Sequence, residues 1–198
     1  GGRTAMWRRA RRALVDRADA WALRLRAWDR RCLATIAGQP RLKRLSKVFI
    51  AFTYFGDGYL WLAVLGGLSV LGTSLDRRRS LVMVLVTVLN VATFRLSKRV
   101  TKRVRPDTEA ALALRFRYLD SYSFPSGHAT TSFGMAYMLS HFYPLWPVQA
   151  AAFAAAGLIA FSRVYVGEHY PSDVLTGAAL GVAVAALLVP PLSAWLLP

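Results

Sequence analysis

A single cysteine, Cys32, stands in the 198 residues. That excludes an intramolecular disulfide and a cysteine-based metal cluster, and leaves the redox compartment open. Acidic side chains are scarce as well, with 10 Asp and Glu against 26 Lys and Arg and a formal net charge of +16. Proline, glycine and serine nowhere gather into a linker, and no internal repeat recurs, so the length fits one folded unit. Histidine occurs only at His128, His141 and His169. With no third histidine or carboxylate set beside any of them, neither a metal nor another cofactor is expected.

What the chain has in quantity is apolar surface. Hydrophobic residues make up 55% of it and the mean hydropathy is +0.34, although the charge is high. The two coexist because basic residues crowd some segments and almost vanish from others, which is the pattern of a membrane protein. An isoelectric point near 11.2 also suits a polyanion. Runs such as Ala150 to Phe161 and Val174 to Val189, however, leave little room for a soluble nucleic-acid-binding domain. Anionic lipid headgroups attract the same charge, so the expected partner is an anionic bilayer and not nucleic acid.

Residues 1–5, Gly-Gly-Arg-Thr-Ala before Met6, read as an added remnant, so the natural chain is expected to start at Met6. From Trp7 to about Gly38, Leu14, Trp21, Leu25, Trp28 and Leu33 recur at helical spacing among arginines. Arg24, Arg26, Asp29, Arg30 and Arg31 would be prohibitive in a lipid-exposed span. Residues 6–47 are therefore read as a basic amphipathic interfacial helix and linker, broken at Gln39-Pro40.

Residues 48–198 are read as the membrane-embedded domain. Its spans are expected at about Val48–Gly72, Leu81–Leu96, His128–Tyr143, Val148–Phe161 and Val174–Leu197. The expected fold is all-α, a polytopic helical bundle of about five transmembrane helices. Asp76-Arg77-Arg78-Arg79 reads as a charged connection between the first two spans. Asp57, inside the first, is either a supporting site residue or part of a bent turn between Gly56 and Gly58.

Three polar clusters adjoin these spans: Lys98 with Arg105-Pro106, Pro125-Ser126-Gly127-His128, and Ser162-Arg163 with His169 and Asp173. If each span crosses once, all three clusters meet at one face. A phosphoryl group in transfer needs fixed cationic donors, which Lys98, Arg105 and Arg163 supply. For each of them the plainer role is an interfacial anchor, the reading adopted for Arg95, Arg99, Lys102 and Arg103. Ser126 and Gly127 open a helix whose free N–H groups favour an anion, with Ser126 as its cap. His128 is then placed as general acid. His169 and Asp173, four residues apart, can share a face, so that the carboxylate orients one ring nitrogen and leaves the other to attack phosphorus. Asp173 is equally eligible as a helix cap. His141, near the opposite end of its span, reads as an interfacial or packing residue.

The full pattern resembles the type 2 phosphatidic acid phosphatase superfamily, which also includes vanadium-dependent haloperoxidases. The pattern is Lys98, six residues, Arg105-Pro106; Pro125-Ser126-Gly127-His128; Ser162-Arg163, five residues, His169, three residues, Asp173. The resemblance covers about Leu81 to Val189. It implies a membrane phosphatase that phosphorylates His169 transiently, supported by Asp173. His128 would protonate the leaving group, and Lys98, Arg105, Ser126, Gly127 and Arg163 would cradle the phosphoryl oxygens, with no metal. The expected substrate is a membrane lipid phosphate or diphosphate, polyprenyl or glycerolipid. The alternatives are a vanadate-bearing haloperoxidase and a non-catalytic protein that binds anionic lipid. Many integral members have six spans, whereas five are counted here, which puts the basic N-terminal region on the catalytic face. Positive residues near a first span usually stay cytoplasmic, so the site is expected on the cytoplasmic side of a bacterial plasma membrane.

Overall fold

The structure, a computed structural model, describes residues 2–106 and 122–197. Seven helices account for nearly all of them: α1 (Gly2–Ala37), α2 (Pro40–Arg44), α3 (Ser46–Leu71), α4 (Ser74–Thr101), α5 (Gly127–Phe142), α6 (Trp146–Tyr165) and α7 (Pro171–Leu196). Of these, α3, α4, α6 and α7 are long and apolar enough to cross a membrane. The expected third span is α5, whose 16 residues measure only ~24 Å at 1.5 Å per residue. It is short and carries Thr130, Thr131 and Ser132 because it packs between α7, α6 and α4. A helix enclosed by other helices need not match the full thickness of hydrocarbon. The chain is an integral membrane protein with an all-helical bundle.

The boundaries differ from the expectation where polar residues prove to be helical. Asp76, Arg77, Arg78 and Arg79 form no connection but lie in the first turns of α4. Thr73 caps that helix, accepting from the Asp76 amide at 3.2 Å while Asp76 Oδ2 accepts from the Thr73 amide at 2.9 Å. This reciprocal capping box satisfies two orphan donors. Asp76 Oδ1 also accepts from Tyr143 Oη at 2.7 Å, which ties the start of α4 to the end of α5 at the face opposite the three clusters. At its other end α4 runs on to Thr101, so Lys98 lies in its last turn.

The core of the bundle is packed by Met83, Val86, Met135, Met138, Ile159 and Val189. Glycines bring α5 and α7 into backbone contact, Gly134 and Gly181 being opposed. Inside α3 a π-turn spans Phe55–Tyr59, where Gly58 takes φ 111°, a value that side chains disfavour. Both features expected of Asp57 are present, since it lies in this turn and its carboxylate meets His128. The N-terminal helix α1 begins at Gly2, so residues 2–5 ahead of Met6 are helical. Its C-terminal part touches the bundle, where Leu33 and Ile36 pack against Ala129, Ala160, Val164 and Val174. Trp7, Leu14, Trp21 and Leu23 are exposed.

Candidate active site

α4, α5, α6 and the turn before α7 deliver polar side chains to one end of the bundle, joined by Asp57 of α3 and Arg105 beyond α4. Lys98 comes from the last turn of α4, which Lys102 ends by adopting a left-handed φ of 46°. The chain then reverses. Val104 pairs with Tyr122 in an isolated antiparallel bridge. The sequence, polar and rich in basic residues over 97–124, assigns headgroup selection to that stretch, of which residues 107–121 lie outside the described residues. Gly127 and His128 open α5, Arg163 lies in the last turn of α6, and Glu168 and His169 lie in the turn before α7.

Lys98, Arg105, Gly127, His128, Arg163, His169 and Asp57 all line one cavity of about 1000 Å3. Lys98 Nζ donates to the Tyr122 carbonyl at 2.8 Å. His128 Nε2 lies 2.9 Å from Asp57 Oδ1, so the carboxylate of α3 orients this imidazole. His169 is 1% exposed. Its burial, and then the charges of Arg105, Arg163 and Lys98, push its pKa well below 6.5, so the ring is neutral at neutral pH. A neutral imidazole retains the lone pair that attack on phosphorus needs.

Two sequence-expected residues are not on the cavity wall. Ser126 is the N-cap residue of α5, but its hydroxyl makes no capping hydrogen bond. The Oγ is buried without a hydrogen-bond partner among the described residues. Asp173 lies behind His169, its Oδ2 3.7 Å from Nδ1, beyond hydrogen-bonding reach. Instead Oδ2 accepts from the Tyr170 amide at 2.9 Å and Oδ1 from Arg103 Nη1 at 2.7 Å. The helix begins at Pro171, so His169 precedes the turn that would have stacked it over Asp173. Asp173 thus caps its own helix and faces the histidine at once.

Three residues escaped the sequence reading. Glu168, 2% exposed, pairs with Arg105 Nη1 at 3.3 Å and with Arg163 Nη2, so one buried carboxylate aligns both guanidinium groups. Arg103 is not the interfacial anchor expected of it, because its guanidinium joins Asp173 to Asp29 of α1. For Asp29 a signal did exist. It stands four residues after Leu25 and four before Leu33, on the apolar stripe, where an unpaired acid has no reason to be. His141 stacks on Tyr137 with ring centroids 6.4 Å apart and takes no part in the cavity.

From its cationic end the cavity continues into the apolar bundle. Its wall includes Asp57 to Leu65 on α3 and Thr87 to Lys98 on α4, lengths of ~12 and ~16 Å along the two helices. One end suits a phosphate and the remainder suits a hydrocarbon stem.

Known proteins resemble the chain over most of its length. The model of the PAP2 superfamily matches residues 79–194. The chain is 34% identical over 139 residues to the decaprenylphosphoryl-5-phosphoribose phosphatase of Mycobacterium tuberculosis H37Rv, covering 69% of this chain and 74% of that one. It is 29% identical over 151 residues to the undecaprenyl-diphosphatase of Sulfolobus acidocaldarius, covering 75% and 71%. The crystal structure of the transmembrane phosphatidylglycerolphosphate phosphatase from Bacillus subtilis superposes with a TM-score of 0.66 at 26% identity, over 84% of this chain and 85% of that one. The chain belongs to the PAP2 superfamily and is one of its membrane lipid phosphatases.

Proposed function

We propose that the protein hydrolyses the phosphomonoester or diphosphate of a polyprenyl or glycerol lipid through a phosphohistidine at His169. The observation that carries this reading is the single cavity joining Lys98, Arg105, Arg163, His128 and His169 to apolar walls on α3 and α4. The lipid phosphate enters with its oxygens on the three cations. The free ring nitrogen of His169 attacks phosphorus, the bond to the leaving oxygen breaks, and His128 gives that oxygen its proton. Water, deprotonated by the same His128, then cleaves the phosphorus–nitrogen bond and releases inorganic phosphate. Two relatives named for polyprenyl substrates make polyprenyl phosphates and diphosphates the first to try.

The test is a phosphate-release screen of the purified protein in detergent, with EDTA present. The probes are farnesyl diphosphate, a polyprenyl-linked sugar phosphate, phosphatidate and phosphatidylglycerophosphate. Turnover of at least one is expected, undiminished by the chelator, with competitive inhibition by orthovanadate, because a cradle for five-coordinate phosphorus also holds vanadate. Activity lost to EDTA and restored by a divalent ion would overturn the metal-free mechanism. Halide oxidation without phosphate release would favour the haloperoxidase alternative. No turnover of any probe would favour the non-catalytic one.

We further infer that the site faces the cytoplasm from a bacterial plasma membrane. Asp29 of α1 reaches α7 at the catalytic end, so the arginine-rich helix lies on that face. The exposed Trp7, Leu14 and Trp21, spaced seven apart, would seat α1 in the interface. Arg77, Arg78 and Arg79 lie at the other end of the 28-residue α4, ~30 Å from Lys98. Cys32, partly exposed on α1, reports the side directly. A membrane-impermeant thiol reagent is expected to label it in opened cells only, and efficient labelling in intact cells would place the site outside.

A further inference from the structure

Asp29 lies far along an arginine-rich helix and has no exposed surface at all. A carboxylate is buried at such cost only where partners replace water. Its Oδ1 accepts from the Ser172 amide at 3.0 Å, and Oδ2 accepts from Ser172 Oγ and Arg103 Nη2, both at 2.6 Å. The Ser172 amide is one of the orphan donors in the first turn of α7, so Asp29 caps that helix from outside it. Arg103 Nη1 in turn donates to Asp173 Oδ1 and to Ser172 Oγ, each at 2.7 Å. The Arg103 guanidinium also lies over the Tyr170 ring, 4.2 Å from its centroid.

One guanidinium thus bridges two carboxylates. One faces His169; the other belongs to a helix that precedes the region matched by the family model, which starts at residue 79. Arg103 is not on the wall of the catalytic cavity, so it acts on the site only through what it holds. Its hold on Oδ1 stops the Asp173 carboxylate from rotating and keeps Oδ2 on the side of His169 Nδ1, 3.7 Å away. Removing the Asp29 charge weakens its hold on Nη2, leaving the Arg103 fork with a single carboxylate and the first turn of α7 with a weaker outside cap.

We propose that Asp29 is a positioning residue for phosphoryl transfer, acting through Arg103 and Ser172 on Asp173 and thereby on His169. The inference rests on His169 being the nucleophile. It makes the C-terminal part of α1 a component of the catalytic unit, not merely a membrane anchor.

The test uses the full chain in detergent, with farnesyl diphosphate and dioctanoyl phosphatidate as probes. Asp29→Asn keeps the shape and removes the charge; Arg103→Lys keeps the charge and cannot span two carboxylates. Each is expected to lower kcat roughly tenfold or more with KM within about twofold, since misplacement behind a reacting group acts on the chemical step. The double variant is expected to be no slower than the slower single, because both break the same chain of contacts. Asp16→Asn, an exposed acid on the same helix, is expected to match wild type. Folding is followed by the melting temperature. If Asp29→Asn aggregates, Arg103→Lys decides by the same criterion. Wild-type kcat in a folded variant, or losses that multiply in the double variant, would overturn the proposal. A His169→Ala control separates the two ideas. If that variant turns over normally, the nucleophile is misassigned; if it is dead while Asp29→Asn is fully active, only the positioning role falls.

Discussion

His169→Ala is expected to abolish phosphate release, with a loss of about a hundredfold or more, while the protein folds and still binds orthovanadate weakly. The ring is buried between the cationic cradle and Asp173, and its depressed pKa keeps it neutral through the neutral range. Protonation of His169 therefore does not produce a loss of rate between pH 7 and 6. For stability the sign is separate. A histidine whose folded pKa lies below its unfolded value stabilises the fold above pH ~6.5, and that contribution is lost as the pH falls toward the folded value. His128→Ala is expected to slow turnover nearly as much by removing the proton donor. His141→Ala, at the far end of α5, leaves most activity. Quenching during turnover and assaying for acid-labile, base-stable phosphate on the protein checks the intermediate directly. Equal rates in wild type and His169→Ala would end the phosphohistidine proposal.

Much of this site is legible in the chain because its parts are local. Proline and glycine before His128 mark a helix start, and apolar runs on either side of the clusters fix which span ends share a face. What the sequence hides is pairing across long separations. Glu168 lies next to His169 in sequence, yet its role comes from guanidinium groups 63 residues before it and five residues before it. Arg103 resembles its basic neighbours until Asp29, 74 residues away, closes on it. The apolar pattern likewise overstates the independence of α5, since a 16-residue helix reads as a span although its neighbours enclose it. The π-turn that directs Asp57 to His128 leaves only its two glycines as a trace, and those also fit an ordinary bend.

The contact between α5 and α7 carries the second large expected effect. These helices hold His128 on one side and, just before Pro171, His169 on the other, so their separation sets the spacing of the two histidines. At Gly181 an added Cβ would run into the carbonyl carbon and oxygen of Thr130, which are backbone atoms and cannot rotate aside. The Gly181 carbonyl also accepts from Asn90 Nδ2 at 3.4 Å, so moving α7 away loosens α4 as well. Relief requires the helices to part along their whole contact, where close approach of small residues provides the packing that hydrophobic driving force does not supply within a bilayer. Gly181→Val is therefore expected to cost about 3 kcal/mol, the upper end for overpacking, which lowers the melting temperature by roughly 6–12 °C for a chain of this size. Turnover by the fraction that remains folded is expected to fall about tenfold, because His128 is displaced from the phosphorus it must serve. Gly66→Ala on α3 is the matched control: an added Cβ there meets nothing within 4 Å, and alanine favours a helix over glycine by up to ~1 kcal/mol. That variant is expected to melt at or above the wild-type temperature with full activity. If Gly181→Val melted with wild type, α5 and α7 would have room to adjust, and their close contact would not be what sets the spacing of the two histidines.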